Sequence, residues 1–194
     1  KGTSSEEFQV VCDFGDNKVI KCTKCSYSSN IEDASCLIKD KKDKSYDIRM
    51  LRKIHTPGIK TVKELKEFFN VDDDKILKSI IVKADSKYIM ILLKGSDELN
   101  ISKLERVLKT KNIEIPSVYE LEKIGTEVGF IGPIKTTMKV IADAEVKNMH
   151  NVICGANIKD YHYKNANPKI DFTIDRYADL KTFNDRSLCP KCGS

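Results

Sequence analysis

The chain has 194 residues, enough for one domain or for one domain with a small added module. Hydrophobic residues make up 40% and charged residues 32%, so a core can form and a disordered polar chain is excluded. The net charge of +5 permits an RNA partner without requiring one, no apolar run reaches membrane-spanning length, and the first residues lack the form of a secretory signal; the expectation is a soluble, cytoplasmic protein with no membrane partner.

The first 22 residues read as a hairpin, with "FQVVCD" and "KVIKC" flanking the turn-forming "FGDN". The second strand ends at Cys22 and Cys25 in "CTKC". A charged connector of low hydrophobicity follows to about residue 55, and its lysine-rich stretch 38–49 mixes both signs, as a solvated loop does. Thr61 then caps a helix over "VKELKEFFN". Glu64 completes a capping box, and Val62, Leu65, Phe68 and Phe69 give an apolar face.

The apolar runs 76–84 and 88–95 predict an antiparallel strand pair across "DSK". "NISKLERVLKT" and "SVYELEKIG" predict two more helices, the second with a Ser117–Glu120 capping box. "TTMKVIADAEV", "HNVICGAN", "YHYKNA" and "DFTIDRYADL" predict the remaining strands. Strands and helices intersperse without a strict βαβ rhythm, so the fold class is α/β to α+β, a mixed sheet with surrounding helices.

Seven cysteines, an odd number, argue against a disulfide framework. Four sort into the pairs Cys22/Cys25 and Cys189/Cys192, the latter in "CPKCG". Two thiolates two residues apart can grip one metal from a tight turn, and four sulfurs favour tetrahedral zinc, although iron has the same sequence signature. The long separation requires that residues 26 and 188 lie close together and that the segment between them be an insertion.

Three further stretches could carry chemistry. Lys78, at the entry to the strand over 76–84, can pair with a phosphate or carboxylate or remain a surface lysine. Gly129 and Gly132 in "GFIGP", closed by Pro133, form a turn whose amides could hold a carbonyl. "CGANIKDYHY" (154–163) could be a metal site, a cysteine–histidine pair or a pocket wall. It offers no second ligand pair and no orienting third group. Cys154 reads as a small buried hydrophobe, His162 as a satisfied sheet histidine.

Taken together, "HTPGIKTVKEL", "KSIIVKA", "KGSDELN", "GFIGP" and "GAN" followed by "HY" resemble the editing insertion domain of bacterial prolyl-tRNA synthetases and the related free-standing aminoacyl-tRNA deacylases. The resemblance covers about residues 50–175. It implies a deacylase-like editing domain there. Residues 1–49 would be a flanking catalytic-domain segment with a hairpin and the first cysteine pair, and 176–194 the return segment with the second pair, the two ends forming a small zinc-ribbon-like module. "EEF" departs from the family, in which a histidine often precedes Glu-Phe; that stretch belongs to the synthetic site. The resemblance further implies hydrolysis of alanine from mischarged tRNA for proline, with structural zinc, no cofactor for editing, and ATP used only in parts of a synthetase not recognisable here. Partners would be the alanine-bearing acceptor end and the rest of the synthetase. Lys78 matches the family's functional lysine, and Val62 and Leu65 match the side-chain pocket. Gly129, Gly132 and Pro133 match the amide-bearing turn, and Gly155, Ala156, Asn157 and His162 the pocket for the RNA end. Two alternatives stay open: a non-catalytic module that binds acceptor ends, and a zinc-ribbon nucleic-acid-binding protein.

Overall fold

The computed structural model describes residue 12 and residues 18–37 and 47–194. The chain divides into two compact units, one from the chain ends (Lys1–Leu37 with Phe183–Ser194) and one from Ile38–Thr182.

In the unit from the ends, β1 (Val19–Lys21) pairs antiparallel with β2 (Ser28–Asn30). The Cys22 amide closes the turn by donating to the Tyr27 carbonyl at 2.9 Å. The strand expected over "FQVVCD" lies outside the described residues apart from Cys12, so the hairpin seen here is a different one, made around "CTKC". The return segment ends in a second turn, in which the Gly193 amide donates to the Cys189 carbonyl at 2.9 Å with Gly193 at φ 74°.

The central unit is built on a five-stranded mixed sheet. In chain order its strands are β4 (Leu77–Ala84), β5 (Lys87–Lys94), β6 (Ile113–Glu114), β7 (Lys139–Asp143) and β10 (Arg176–Ala178), arranged β10-β7-β5-β4-β6. β4 and β5 pair antiparallel across the two-residue turn Asp85–Ser86, both at positive φ, a geometry that matches the twist of the strands. β5 is parallel to β7, and β7 to β10. Alternation along β5 sends Met90 and Leu92 to one face and Ile89, Ile91 and Leu93 to the other, and all five are buried. Fully burying each such side chain is worth about 2 kcal/mol, which makes β5 the axis of the fold.

One face of this sheet packs on a three-stranded antiparallel sheet ordered β3-β9-β8, made of β3 (Arg52–His55), β8 (Val152–Gly155) and β9 (Tyr161–Ala166). The other face takes Leu104 from α2 (Ile101–Leu108), whose N-cap is Asn100. The helix α1 (Val62–Phe69) has both halves of its capping box: the Glu64 amide donates to Thr61 Oγ1 (3.2 Å), and the Thr61 amide donates to Glu64 Oε2 (2.8 Å). α3 (Val118–Lys123) has the same arrangement at Ser117 and Glu120.

Several sequence expectations need correction. β3 lies inside the stretch read as a connector, because it is a short, half-polar strand that becomes a strand only by pairing with β9. Phe68 is 48% exposed, and the packed face of α1 is Val62, Leu65 and Phe69. The tail "AEV" of the strand over 136–146 is a 3-10 turn (Ala144–Asn148) started by Asp143, whose side chain accepts from the Glu145 amide. β10, with residues 176–182, belongs to the central unit, since it extends the five-stranded sheet.

Candidate functional site

Four separate chain segments meet at a cavity of about 110 Å³ within the central unit. β4 contributes Lys78 and Ser79 at its start, α1 contributes Val62 and Leu65 from its first turns, the 129–133 turn contributes Gly129, and the paired strands β8 and β9 contribute Gly155 and His162. Of the residues singled out from sequence, Lys78, Val62, Leu65, Gly129, Gly155 and His162 line this cavity. Gly132, Pro133, Ala156 and Asn157 stand behind the wall rather than in it.

That backing is a tight backbone crossing. A Cβ on Gly132 would collide with the Gly155 carbonyl, and one on Gly155 with the Phe130 and Ile131 carbonyls, so only glycine allows the turn to lie against β8. Asn157 fastens the crossing. Its Nδ2 donates to the carbonyls of Gly132 (2.9 Å) and Ile134 (3.2 Å), and its Oδ1 accepts from the Gly132 amide at 2.9 Å. The Gly132 amide is therefore spent inside the fold, which corrects the expectation that it faces a substrate carbonyl. Ala156 is buried, and its amide donates to the Tyr161 carbonyl at 3.2 Å. At Gly129, φ is 91° and a Cβ would press on the Lys60 side chain, so this position too requires glycine.

His162 is 1% exposed, and its Nδ1 lies 2.7 Å from Thr56 Oγ1. Burial pushes its pKa down to about 4, against the opposing pull of a hydrogen bond to the Gly129 backbone. The ring is thus neutral at pH 7. The ring ties two parts of the wall together, the Thr56 hydroxyl and the Gly129 backbone.

Two cations, Lys60 and Lys78, line the cavity, and Lys78 is the one on the sheet. Its Nζ donates to Glu98 Oε1 at 2.9 Å, with side chains 20% and 78% exposed respectively. A carboxylate this exposed forms a weak bridge that an incoming anion can replace. Sequence reasoning missed two residues here. Ser79 Oγ is buried with no hydrogen-bond partner beside the cavity, and Thr56 is fully buried against His162. The only signal for either was its place inside a stretch that carries the resemblance, "KSIIVKA" for Ser79 and "HTPGIKTVKEL" for Thr56.

Cys154 lies in the hydrophobic core, 1% exposed, and burial pushes its thiol up to about 12. It is no nucleophile at neutral pH, and it pairs in register with Tyr163 rather than with His162.

In the unit from the chain ends, the sulfurs of Cys22, Cys25, Cys189 and Cys192 all lie within 4.8 Å of one another, with Cys22–Cys192 and Cys25–Cys189 both at 3.6 Å. Tetrahedral ligands about 2.3 Å from a centre would stand about 3.8 Å apart, so the set can hold one metal ion. The Lys24 amide points at Cys22 Sγ (3.4 Å), and this contact, with the Ser194 hydroxyl, lowers Cys22 to about 6. The Tyr27 amide acts the same way on Cys25 but is outweighed by burial and the neighbouring sulfurs, which leave that thiol at about 12. Four thiols this close cannot all ionise without a cation among them.

Residues 56–172 match the family model for the aminoacyl-tRNA editing domain. The chain is 39% identical over its whole length to a proline–tRNA ligase of Caldicellulosiruptor bescii, and 37% identical over 99% of its length to that of Thermotoga maritima. It spans about a third of the length of these relatives, 34% and 33%. Among solved structures, a candidate trans-editing enzyme for prolyl-tRNA synthetase superposes with a TM-score of 0.61 at 20% identity, over 69% of this chain and 87% of that one, a likeness of fold. From a sheet crossing that only glycine permits to a match across most of the central unit, these findings lead to one assignment: the chain belongs to the aminoacyl-tRNA editing domain family.

Proposed function

We propose that the central unit hydrolyses the ester joining a wrong, small amino acid, alanine, to tRNA for proline, as the editing insertion of a prolyl-tRNA synthetase. The observation that carries this reading is the convergence of Lys78, the Gly129 turn and the β8–β9 pair on one small cavity. A missing methylene gives a synthetic site only about 1–3 kcal/mol of discrimination, so a proline pocket admits alanine. A second site with apolar walls at Val62 and Leu65 works in reverse, accepting the methyl side chain and excluding the proline ring by size. In this mechanism Lys78 exchanges Glu98 for an RNA phosphate and so fixes the acceptor end. His162 and Asn157 hold the two sides of the cavity in register. Water attacks the ester carbon, and the bond to the ribose oxygen breaks to release alanine and free tRNA. The neutral His162 and the protonated Cys154 support a water nucleophile over a protein one.

The four cysteines fit structural zinc, which would join the chain ends where the insertion leaves and re-enters the rest of the synthetase. Deacylation assays on alanyl- and prolyl-tRNA for proline test the catalytic reading. Alanine release that spares proline, reduced at least about a hundredfold by Lys78→Ala, is expected for a group that orients the substrate. An intact protein that binds the charged RNA without turnover would support the binding-module reading instead.

A further inference from the structure

The central unit has a second, larger cavity, about 420 Å³, lined by Arg49, Lys75, Lys164, Phe69, Asn151 and Asn165 together with Asp47 and His150. We propose that it receives a backbone phosphate of the same RNA strand whose charged end occupies the small cavity. The inference rests on RNA being the substrate and adds a binding track to that reading.

Shared elements carry the argument. Both cavities lie along α1 and along the β8–β9 pair. Val62 and Leu65 face the small cavity and Phe69, at the last turn, faces the large one; Gly155 and Ile153 divide in the same way on β8, as do His162 and Lys164 on β9. Residues two apart on a strand share a face, so Lys164 stands about 7 Å along the same face from His162. An eight-residue helix is about 12 Å long. A polymer whose end sits at Val62 and runs along α1 reaches the large cavity within one or two residues of chain.

The chemistry suits a nucleotide linkage. Three cations face one carboxylate, and that carboxylate, Asp47, is 90% exposed and only within 4.0 Å of Arg49 Nε. Lys164 Nζ lies over the Phe69 ring, 5.6 Å from its centre, which places a cation on an aromatic face at the cavity wall. Lys75 Nζ donates to His150 Nε2 (3.2 Å) and to the His150 carbonyl (3.3 Å), contacts that hold its ammonium group at the cavity wall. The wall is also braced. Asn151 Oδ1 accepts from the Arg49 amide at 3.0 Å and its Nδ2 donates to the Asp47 carbonyl at 2.8 Å, while Asn165 Nδ2 donates to the Met50 carbonyl at 3.1 Å. The backbone that carries Arg49 is thereby held against β8 and β9.

The test uses the full chain and an uncharged hairpin RNA ending in the acceptor strand. Its affinity is measured from low to moderate salt for the wild type, Arg49→Ala/Lys164→Ala and Lys164→Glu, with thermal melts to check folding. Removing a cation that binds phosphate predicts about tenfold weaker RNA binding and a salt slope shallower by about 1 for each phosphate no longer neutralised. KM for charged tRNA should rise with kcat little changed, and hydrolysis of an aminoacyl-adenosine, which has no phosphate, should stay at the wild-type rate. Unchanged affinity, salt slope and KM in folded variants would overturn the phosphate track and leave the hydrolytic reading standing. RNA binding through these residues by a protein that hydrolyses nothing would retain the track and overturn the hydrolytic reading. Competition by inorganic phosphate, with RNA affinity unaffected by the substitutions, would identify a free-anion site and overturn the RNA assignment.

Discussion

Single residues at this site act through backbone contacts as much as through functional groups. Gly132 and Gly155 are needed because each would place a Cβ on a carbonyl oxygen of the crossing segment. Gly132→Ala is expected to cost at least about 3 kcal/mol, read as a lowered denaturant midpoint at unchanged m-value. His162 gives a pH signature. The unfolded chain takes up its proton near pH 6.5, whereas the folded chain does so only near 4, so stability is fully present above about 6.5 and falls as pH drops across that window. The full loss is roughly 3 kcal/mol. Unfolding curves at pH 7.5 and pH 5 should therefore differ more for the wild type than for His162→Asn, and equal differences would show that the histidine is not held neutral. The histidine itself was readable in the sequence; its neutrality was not, because it comes from burial by segments that lie far from it along the chain.

At the scale of elements, the legible features were those written in short spacings. Both capping boxes and the two CxxC turns depend on residues three apart, the β4–β5 pair on two apolar runs joined by a two-residue turn, and each formed where the spacing predicted it. β3, β6 and the pairing of β10 with β7 escaped notice because short strands take their identity from a distant partner. The segment that leads out of the sheet is held by charge. Lys181 and Asp97 have side chains only 3% exposed, with Lys181 Nζ 2.6 Å from Glu145 Oε1 and 4.0 Å from Asp97 Oδ2, while Lys94 reaches Glu145 at 3.0 Å. Burial raises the Asp97 pKa, so the carboxylate depends on these cations. Lys181→Met should destabilise the chain by about 3–5 kcal/mol in chemical denaturation, because it leaves buried acids with too little countercharge. Adding Asp97→Asn should restore part of that loss.

For the whole molecule, the two units make separable predictions. A metal held by the four cysteines would supply folding energy directly to the unit from the chain ends. Chelation should abolish the β1–β2 unit's order, followed by amide exchange at residues 18–37 and 183–194, while the central unit keeps its fold and any ester hydrolysis. Loss of hydrolysis with the central unit still folded would overturn a purely structural role for the metal. Among the described residues no helix is long and apolar enough to cross a membrane.

The sequence by itself determined the local structure of this protein: where helices begin, which strands form a hairpin and which cysteines share a turn. It also held the set of motifs that points to an editing domain. Such features are encoded by hydrogen bonds and apolar contacts between near neighbours, whose spacing survives in one dimension. Only the tertiary structure decided that Lys78, Gly129, Gly155 and His162 face one cavity, that the Gly132 amide is already taken, and that Arg49, Lys75 and Lys164 gather at the far end of the same helix. Those outcomes follow from the packing of strands and loops remote in the chain, where burial and steric fit select among partners that spacing alone leaves equivalent.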